Sequence, residues 1–273
     1  IATTVGLYSK VTIMDNYTDE IRLVFENINV ELAGKDLDEI VNNTPKSFMP
    51  MLLPIKIGLE FWEMLYEIKI TRVHIRFFIE FWVGAGLGAS ASLSVALYRA
   101  LQDFYNKEYS ELTCFHFSLQ MEKITHMAPS GLDNTICSKE GTIIFKDRNS
   151  IPVSIENEKM YPMIIIYSGQ AHSTTDAIKK IDKIRNMNVD AVNESFKYIG
   201  GLAEQGKYVL EAGDMKKLQL LMEENQTELE KYELMTPQMD KILNLGKNLG
   251  IRGLKMTGGG LGGCLIAIDQ PEK

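Results

Sequence analysis

The sequence predicts an α/β protein built in two halves, and three observations support this prediction. The first half mixes runs in which apolar and polar residues alternate, typical of strands, with stretches of helical spacing. A glycine-rich stretch follows the strand predicted at 70–83 and leads into a helix. The second half opens with the apolar run 163–167 and continues with four amphipathic helical patterns.

The individual elements follow from the period of the apolar residues. Strands are expected at 1–13, 20–32, 70–83, 141–146 and 163–167. Helices are expected at 36–69 with a break at Pro54, and at 91–106, 110–126, 175–187, 189–211, 214–233 and 237–249. The segment 252–268 has the pattern of a hairpin. The polar segment 147–161 is the expected boundary between two domains, 1–155 and 156–273.

Composition restricts the class of function. A chain of 273 residues with 45% hydrophobic content can bury a substantial core, and a net charge of −7 argues against a nucleic-acid partner. The chain contains no apolar stretch of the ~18 residues that a membrane helix requires. The three cysteines are odd in number and lack metal-ligand spacing, so we expect small buried side chains in the reducing cytosol: Cys114, Cys137 and Cys264.

The glycine-rich stretch is the strongest local signal. Its sequence from residue 83 to residue 92 is VGAGLGASAS, between a strand and a helix. Glycines allow close approach of an anion, and the N–H groups of a helix start have no intrahelical partner. We therefore predict a phosphate site formed by Gly84, Ala85, Gly86, Leu87, Gly88, Ala89 and Ser90.

Two well-known nucleotide-binding motifs fit this stretch poorly. A P-loop requires a lysine after the glycines, and none follows. A dinucleotide fingerprint can be threaded through Gly84, Gly86 and Ala89, with Asp103 about 20 residues on as the ribose-binding acid. Helical spacing continues through Asp103, however, which disfavours the second strand that this motif needs. A tight turn that only lets strand and helix pack stays open.

Two further polar turns accompany the first. Residues 128–135 read APSGLDNT, and residues 255–264 read KMTGGGLGGC. In this order, the three segments resemble the motifs of the GHMP kinases, the family of galacto-, homoserine, mevalonate and phosphomevalonate kinases. The resemblance extends over about 1–268, and the second turn, with His126 before it, is most similar to the mevalonate kinase branch. It implies a ribosomal-S5-like N-terminal domain and a ferredoxin-like C-terminal domain.

The resemblance also implies a catalytic site for ATP and Mg²⁺. It assigns Ser90 and Glu122 as metal ligands and Asp133 as the base that takes the proton of the substrate hydroxyl. The residues themselves allow simpler roles. A hydroxyl at Ser90 or Ser92 can cap the helix, and Glu122, on an inward stripe, can form an internal salt bridge. Asp133 can form an Asx turn.

Further residues are expected to line the substrate cleft by resemblance: Ser130, Gly131, Thr174, Thr257, Gly258 and Gly259, with Gly260, Ser173 and His126 near them. A structural tight turn is an alternative role for the glycines, helix capping for Ser173 and Thr174, and a structural hydrogen bond for His126.

The chain departs from the family pattern at several points. The family's N-terminal lysine motif is missing, and Lys10 lies on a later strand. Ala89 replaces a serine, and Trp82 stands where the family usually has proline. We expect the natural protein to extend beyond both ends of this sequence.

The expected function is ATP- and Mg²⁺-dependent phosphorylation of the primary hydroxyl of mevalonate. The expected partners are ATP and a small hydroxy acid, with no nucleic acid or membrane. The alternatives are a sister kinase for phosphomevalonate or a sugar, and a catalytically silent nucleotide-binding homologue. A homodimer is left open.

Overall fold

The computed structural model describes residues 1–125, 129–146, 149–153, 162–171 and 174–268. The chain divides into two units. The N-unit consists of Thr4–Phe81 and Gly88–Glu140, and the C-unit consists of Ile1–Thr3, Trp82–Leu87 and Gly141–Lys273. Helices and strands are mixed along the described residues, so the predicted α/β class is confirmed.

The first strand, β1 (Ala2–Thr3), belongs to the C-unit, and the N-unit follows it along the chain. The N-unit contains β2 (Ser9–Asp15), β3 (Ile21–Phe25), β4 (Val30–Gly34), α1 (Leu37–Asn43), α2 (Met49–Tyr66), β5 (Val73–Ile79), α3 (Ala89–Phe104), α4 (Glu111–Thr125) and α5 (Leu132–Lys139). Its four strands form a sheet in the order β2-β5-β3-β4. Strands β3 and β5 are parallel, and the other pairs are antiparallel.

The core of the N-unit lies between this sheet and its helices. Every second residue of β3 is buried, as are alternate residues of β5, because side chains of a strand point to opposite faces. Helix α2 contributes Trp62, whose indole Nε1 donates to the Oε1 of Gln102 at 2.8 Å. This hydrogen bond satisfies two polar groups that the core would otherwise penalise.

The predicted helix 36–69 is interrupted at another proline. Helix α1 ends at Asn43, and Thr44 is extended (φ −93°, ψ 134°) because it precedes Pro45, whose ring disfavours helical backbone at the residue before it. Pro54, by contrast, lies buried inside α2. Its lost backbone hydrogen bond is offset by packing, so the predicted break at Pro54 is wrong.

The predicted strand 20–32 is two strands rather than one. A short 3₁₀ helix, Glu26–Ile28, separates β3 from β4, and Asn29 takes a left-handed conformation (φ 51°). Asparagine tolerates this conformation better than most residues. The turn folds β4 back onto β3, with Phe25 opposite Val30.

The C-unit contains two three-stranded sheets and four long helices in its described residues. The strands are β1, β6 (Thr142–Lys146), β7 (Asn149–Pro152), β8 (Met163–Tyr167), β9 (Lys255–Met256) and β10 (Cys264–Ile268). They pair in the orders β1-β6-β7 and β8-β10-β9, all antiparallel. The helices are α6 (Thr174–Met187), α7 (Val189–Ala212), α8 (Met215–Glu230) and α9 (Pro237–Asn248).

The four helices predicted for the second half are confirmed, and the starts of three of them, α7 to α9, have a local cause. Asn188, Asp214 and Thr236 each accept a hydrogen bond from a backbone N–H in the first turn of α7, α8 and α9. Such caps satisfy amides that a helix start leaves free. The hairpin-like segment 252–268 forms β9 and β10, which pair directly.

Two elements lie where the sequence predicted none. Helix α5 occupies part of the polar turn 128–135, and β7 lies in the polar segment 147–161. The expected boundary at residue 155 falls in 154–161, outside the described residues. The division into 1–155 and 156–273 therefore stays a prediction. Within the described ranges, no helix is long and apolar enough to cross a bilayer.

Candidate active site

The first part of the glycine-rich stretch belongs to the C-unit. Gly84 and Gly86 have φ of 77° and 74°, a region that side chains rarely adopt. Gly86 lies against Gly258 of the third motif: a Cβ placed on Gly258 would come within 3.2 Å of the Gly86 carbonyl oxygen. A side chain at Gly258, which has φ of 72°, would require the Gly86 backbone to shift. This close contact brings the first and third motifs together.

The third motif also meets the start of α6. A Cβ placed on Gly259 would lie 3.7 Å from the Cα of Thr174. Thr257 donates its N–H to the carbonyl of Cys264 at 3.1 Å, which closes the turn between β9 and β10. Four predicted site residues, Gly86, Thr174, Gly258 and Gly259, thus converge within the C-unit.

Trp82 precedes this loop and stacks on Tyr167, with ring centroids 5.0 Å apart and an interplanar angle of 18°. The Ala85 N–H donates to the Trp82 carbonyl at 3.3 Å, so the tryptophan also closes the turn of the loop. The aromatic pair therefore anchors the entry of the loop to β8.

In the N-unit, Gly88 is the N-cap of α3 with φ 70°, and no side chain of the described residues caps this helix. Ser90 is exposed in the first turn, so a capping role of Ser90 is not seen. The hydroxyl of Ser92 pairs with that of Ser9 at 2.7 Å, which ties α3 to β2. Asp103 lies inside α3, which contradicts the strand that the dinucleotide alternative needs. The first-turn N–H groups of α3 can donate to a phosphate, and the hydroxyl oxygen of Ser90 can bind a cation.

The second motif forms the start of α5. Gly131 is its N-cap with φ 82°, and a Cβ there would lie 3.1 Å from the ring of Phe115. The hydroxyl oxygen of Ser130 accepts a hydrogen bond from the Leu132 N–H at 3.2 Å. Asp133 is exposed in the first turn, where the helix dipole favours a negative charge. Its carboxylate carbon would lie 3.7 Å from a Cβ on Gly88.

A second carboxyl accompanies Asp133. Glu122, on α4, is half-buried, and its Oε2 is buried without a hydrogen-bond partner among the described residues. Burial and the negative charge of Asp133 raise the pKa of Glu122 from 4.5 to about 7, and the Asn134 amide opposes this shift. No lysine or arginine of the described residues forms an ion pair with Glu122, so the salt-bridge alternative is not seen.

The acid pair fits a divalent cation. A buried carboxylate oxygen without a partner is costly, and a hard cation such as Mg²⁺ prefers oxygen ligands. Among the described residues, no group of three or more His, Cys, Asp or Glu side chains could hold a metal by itself.

The raised pKa of Glu122 predicts how stability depends on pH without metal. The folded protein binds this proton more tightly than the unfolded chain, so the free energy of unfolding should fall as pH rises from about 4.5 to about 7. Glu122→Gln should flatten this fall and exceed the parent in stability at pH 8. Urea unfolding in EDTA at pH 5 and pH 8 measures both.

The control for this prediction is Glu108→Gln, which changes an exposed carboxyl of the N-unit. It should leave the pH dependence unchanged. Equal destabilisation of Glu122→Gln at both pH values would instead indicate a structural hydrogen bond at Glu122.

Several predicted residues remain outside this arrangement. His126 and Ser173 lie outside the described residues. Lys10, on β2, forms an ion pair with Glu80, which directly follows β5. Asn134 follows Asp133 directly, and the sequence alone suggested no role for it, although its side chain is fully buried. The sequence predicted a polar turn at this position. Only a predicted helix would have placed the residue after Asp133 on the buried face.

Family models match both halves of the chain. The model described as "GHMP kinases N terminal domain" matches residues 57–142, and that described as "GHMP kinases C terminal" matches residues 207–273. Together they cover more than half of the sequence, in the order that the three motifs predict. The chain therefore belongs to the GHMP kinases, and it is a kinase of this family.

Curated relatives agree with this assignment. A mevalonate kinase of Methanocaldococcus jannaschii is 29% identical over 280 residues, covering all of this chain and 86% of the relative. A mevalonate kinase of Thermococcus sibiricus is 28% identical over 198 residues, covering 70% of this chain and 58% of the relative.

Solved structures share the fold over nearly the whole chain. A crystal structure of a mevalonate kinase has a TM-score of 0.80 at 25% identity, covering 97% of this chain and 82% of that one. The L. major mevalonate kinase in complex with R-mevalonate has a TM-score of 0.78 at 18% identity, covering 99% and 80%. The Streptococcus pneumoniae phosphomevalonate kinase, in complex with phosphomevalonate and AMPPNP, has a TM-score of 0.74 at 16% identity, covering 98% and 85%.

Proposed function

We propose that this kinase uses ATP and Mg²⁺ to phosphorylate the primary hydroxyl of mevalonate, giving 5-phosphomevalonate. The observation that carries the proposal is the carboxylate of Asp133, which lies in the first turn of α5 and approaches Gly88 at the end of the glycine-rich loop. The motif order and the names of the curated relatives support mevalonate as the substrate.

Asp133 is the proposed base. Its carboxylate accepts the proton of the primary hydroxyl while the oxygen attacks the γ-phosphorus, and the bond from that phosphorus to the bridging oxygen of ADP breaks. Exposure keeps this carboxylate accessible to substrate, and the N-terminus of α5 favours its anionic form. Glu122, on α4, carries the raised pKa that burial and the charge of Asp133 cause.

Ser90 and Glu122 are the residues that would hold Mg²⁺, which when bound neutralises charge on the phosphate oxygens. The exposed hydroxyl of Ser90 supports this role, as does the unpartnered Oε2 of Glu122. Residues 84–90 would bind the phosphates through backbone N–H groups. Ser130, Gly131, Thr174, Thr257, Gly258 and Gly259 are the proposed substrate-cleft residues.

The test is a coupled ADP-release assay of the protein expressed from its full open reading frame. Mevalonate, phosphomevalonate, homoserine and galactose should be compared at equal concentration. We expect the highest kcat/KM with mevalonate. A preference for phosphomevalonate or galactose would identify a sister kinase, and no ADP release with any substrate would favour a silent nucleotide-binding homologue.

Removing the proposed metal ligands should change the Mg²⁺ requirement. Ser90→Ala and Glu122→Gln should each raise the Mg²⁺ concentration for half-maximal activity, because each removes an oxygen ligand or its charge. The measurement is a Mg²⁺ titration at saturating ATP and mevalonate, with melting temperatures recorded in parallel.

The control for this titration is Ser92→Ala, because the Ser92 hydroxyl is already hydrogen-bonded to the hydroxyl of Ser9. That variant should lose stability and keep the Mg²⁺ dependence of the parent. If Ser90→Ala and Glu122→Gln behave like it, both residues are structural and the metal assignment fails.

Location and assembly complete the proposal. The three cysteines, all described, are free. Cys114 and Cys264 are buried as expected, whereas Cys137 is only partly buried. Free thiols are typical of a reducing compartment. We place the protein in the cytoplasm on this basis. A homodimer stays a prediction that light scattering of the purified protein would test.

A further inference from the structure

One amide stands out among the buried polar groups of the protein. The side chain of Asn134 is 0% exposed, yet neither its Oδ1 nor its Nδ2 has a hydrogen-bond partner in the part of the chain that the structure describes. Six buried side-chain nitrogen or oxygen atoms lack a partner in the described part of the chain, and three of them belong to Asn134 and Glu122. Folded proteins rarely leave such atoms unpaired, so this cluster requires a physical reason.

The Asn134 amide and the Glu122 carboxyl interact electrostatically. The Asn134 amide lies close enough to the Glu122 carboxyl to favour its charged form, although the geometry falls short of a complete hydrogen bond. Helix α5 packs against α4, which carries Glu122. Because successive residues of a helix point about 100° apart, Asp133 faces solvent while Asn134 faces the interior. One short helix therefore presents a base outward and an amide toward the second acid.

We propose that Asn134 is a positioning residue whose carboxamide orients the Glu122 carboxylate for the Mg²⁺ of the bound nucleotide. The inference rests on the proposed function, because it assumes a Mg²⁺-nucleotide complex at this site. In it, Nδ2 donates to the Glu122 carboxylate, and Oδ1 accepts a hydrogen bond from a water molecule in the occupied site. The unpaired atoms then indicate a site that is arranged for its ligand and that lowers the stability of the free protein.

The remaining unpaired buried atoms lack a comparable ligand-binding arrangement. Ser195 Oγ has no hydrogen-bond partner by geometry, but it lies close enough to Glu228 to lower the pKa of that carboxyl. His74 Nε2 and Arg22 Nε lie on paired residues of β5 and β3, where Arg22 already forms an ion pair with Glu31. At Asn134, by contrast, both atoms of one amide are unpaired next to two carboxyls.

The test is Asn134→Leu, a substitution of similar size without polar atoms. The free protein, in EDTA, should melt at the same temperature as the parent or higher, since two unpaired polar atoms are removed. With AMPPNP present, the Mg²⁺ concentration for half of the full thermal shift should rise about 10- to 100-fold, the usual effect of losing an outer-shell partner of a metal ligand. If Asn134 had only a structural role, the variant would melt at a lower temperature than the parent and would keep the Mg²⁺ requirement of the parent.

Ser138→Ala is the matched control on the same helix. Ser138 is buried, and its hydroxyl donates to the Thr135 carbonyl at 3.0 Å. This variant should melt at or below the parent temperature and keep the Mg²⁺ requirement of the parent. Asn134→Ala provides a second variant if the leucine does not fold, and the same rise in Mg²⁺ requirement is expected for it.

The outcomes separate the inference from the function on which it rests. An unchanged Mg²⁺ requirement in a folded Asn134 variant, with a parent that responds to Mg²⁺ and AMPPNP, would overturn the positioning role alone. A parent that shows no response to Mg²⁺ and AMPPNP would overturn the proposed function and this inference together.

Discussion

Asp133→Asn should lower kcat for mevalonate by about two to four orders of magnitude while leaving nucleotide affinity nearly unchanged. The amide keeps the shape of the carboxylate but cannot accept the proton of the hydroxyl, and general-base catalysis typically contributes about 10²- to 10⁴-fold. Because Asp133 is exposed in the first turn of α5, its replacement by an isostere should disturb packing little. Turnover and AMPPNP binding should be measured separately on the same preparation.

Asp103→Asn is the control for this experiment. It makes the same chemical change at an exposed aspartate in the last turn of α3, away from the acid pair. Its kcat should match that of the parent. If Asp133→Asn turns over at the parent's rate, the base assignment is wrong; if it loses AMPPNP binding as well, the carboxylate serves the nucleotide rather than the hydroxyl.

Gly260→Ala should strongly destabilise the C-unit through a single added methyl group in the third motif. Gly260 has φ of 78°, which costs an alanine about 1 to 2 kcal/mol. A Cβ there would also lie 2.7 Å from the Leu234 carbonyl oxygen, the same oxygen that accepts the Leu261 N–H at 2.6 Å. Overpacking of this kind adds about 1 to 3 kcal/mol, so we expect a loss of about 2 to 5 kcal/mol.

Gly250→Ala separates backbone strain from crowding. Gly250 has φ of 79°, nearly identical to that of Gly260, but no atom of the described residues, apart from its chain neighbours, lies within 4 Å of its Cβ position. This variant should therefore lose only about 1 to 2 kcal/mol. The free energies of unfolding of the two variants should be compared by urea unfolding followed by circular dichroism. Equal losses would show that the contact with Leu234 relaxes without cost.

Much of this protein could be predicted from local sequence. The helices α6 to α9 were placed within a few residues, because apolar residues at helical spacing identify a buried face without reference to other elements. The glycine-rich loop was recognised for a similar reason. Gly84, Gly86 and Gly88 all have positive φ, which glycine adopts at little cost, so the residue type itself indicates the backbone. Motif order then indicated the family that the comparisons show.

What the sequence could not determine depended on contacts between distant residues. Pro54 stays inside α2 because its surroundings bury it, whereas Pro45 ends α1 through its effect on Thr44 alone. The raised pKa of Glu122 requires both burial and Asp133 from another helix. The unpaired amide of Asn134 exists only once α5 packs on α4 and water is excluded. Burial and electrostatic coupling are properties of the packed chain, so only the tertiary structure could decide them.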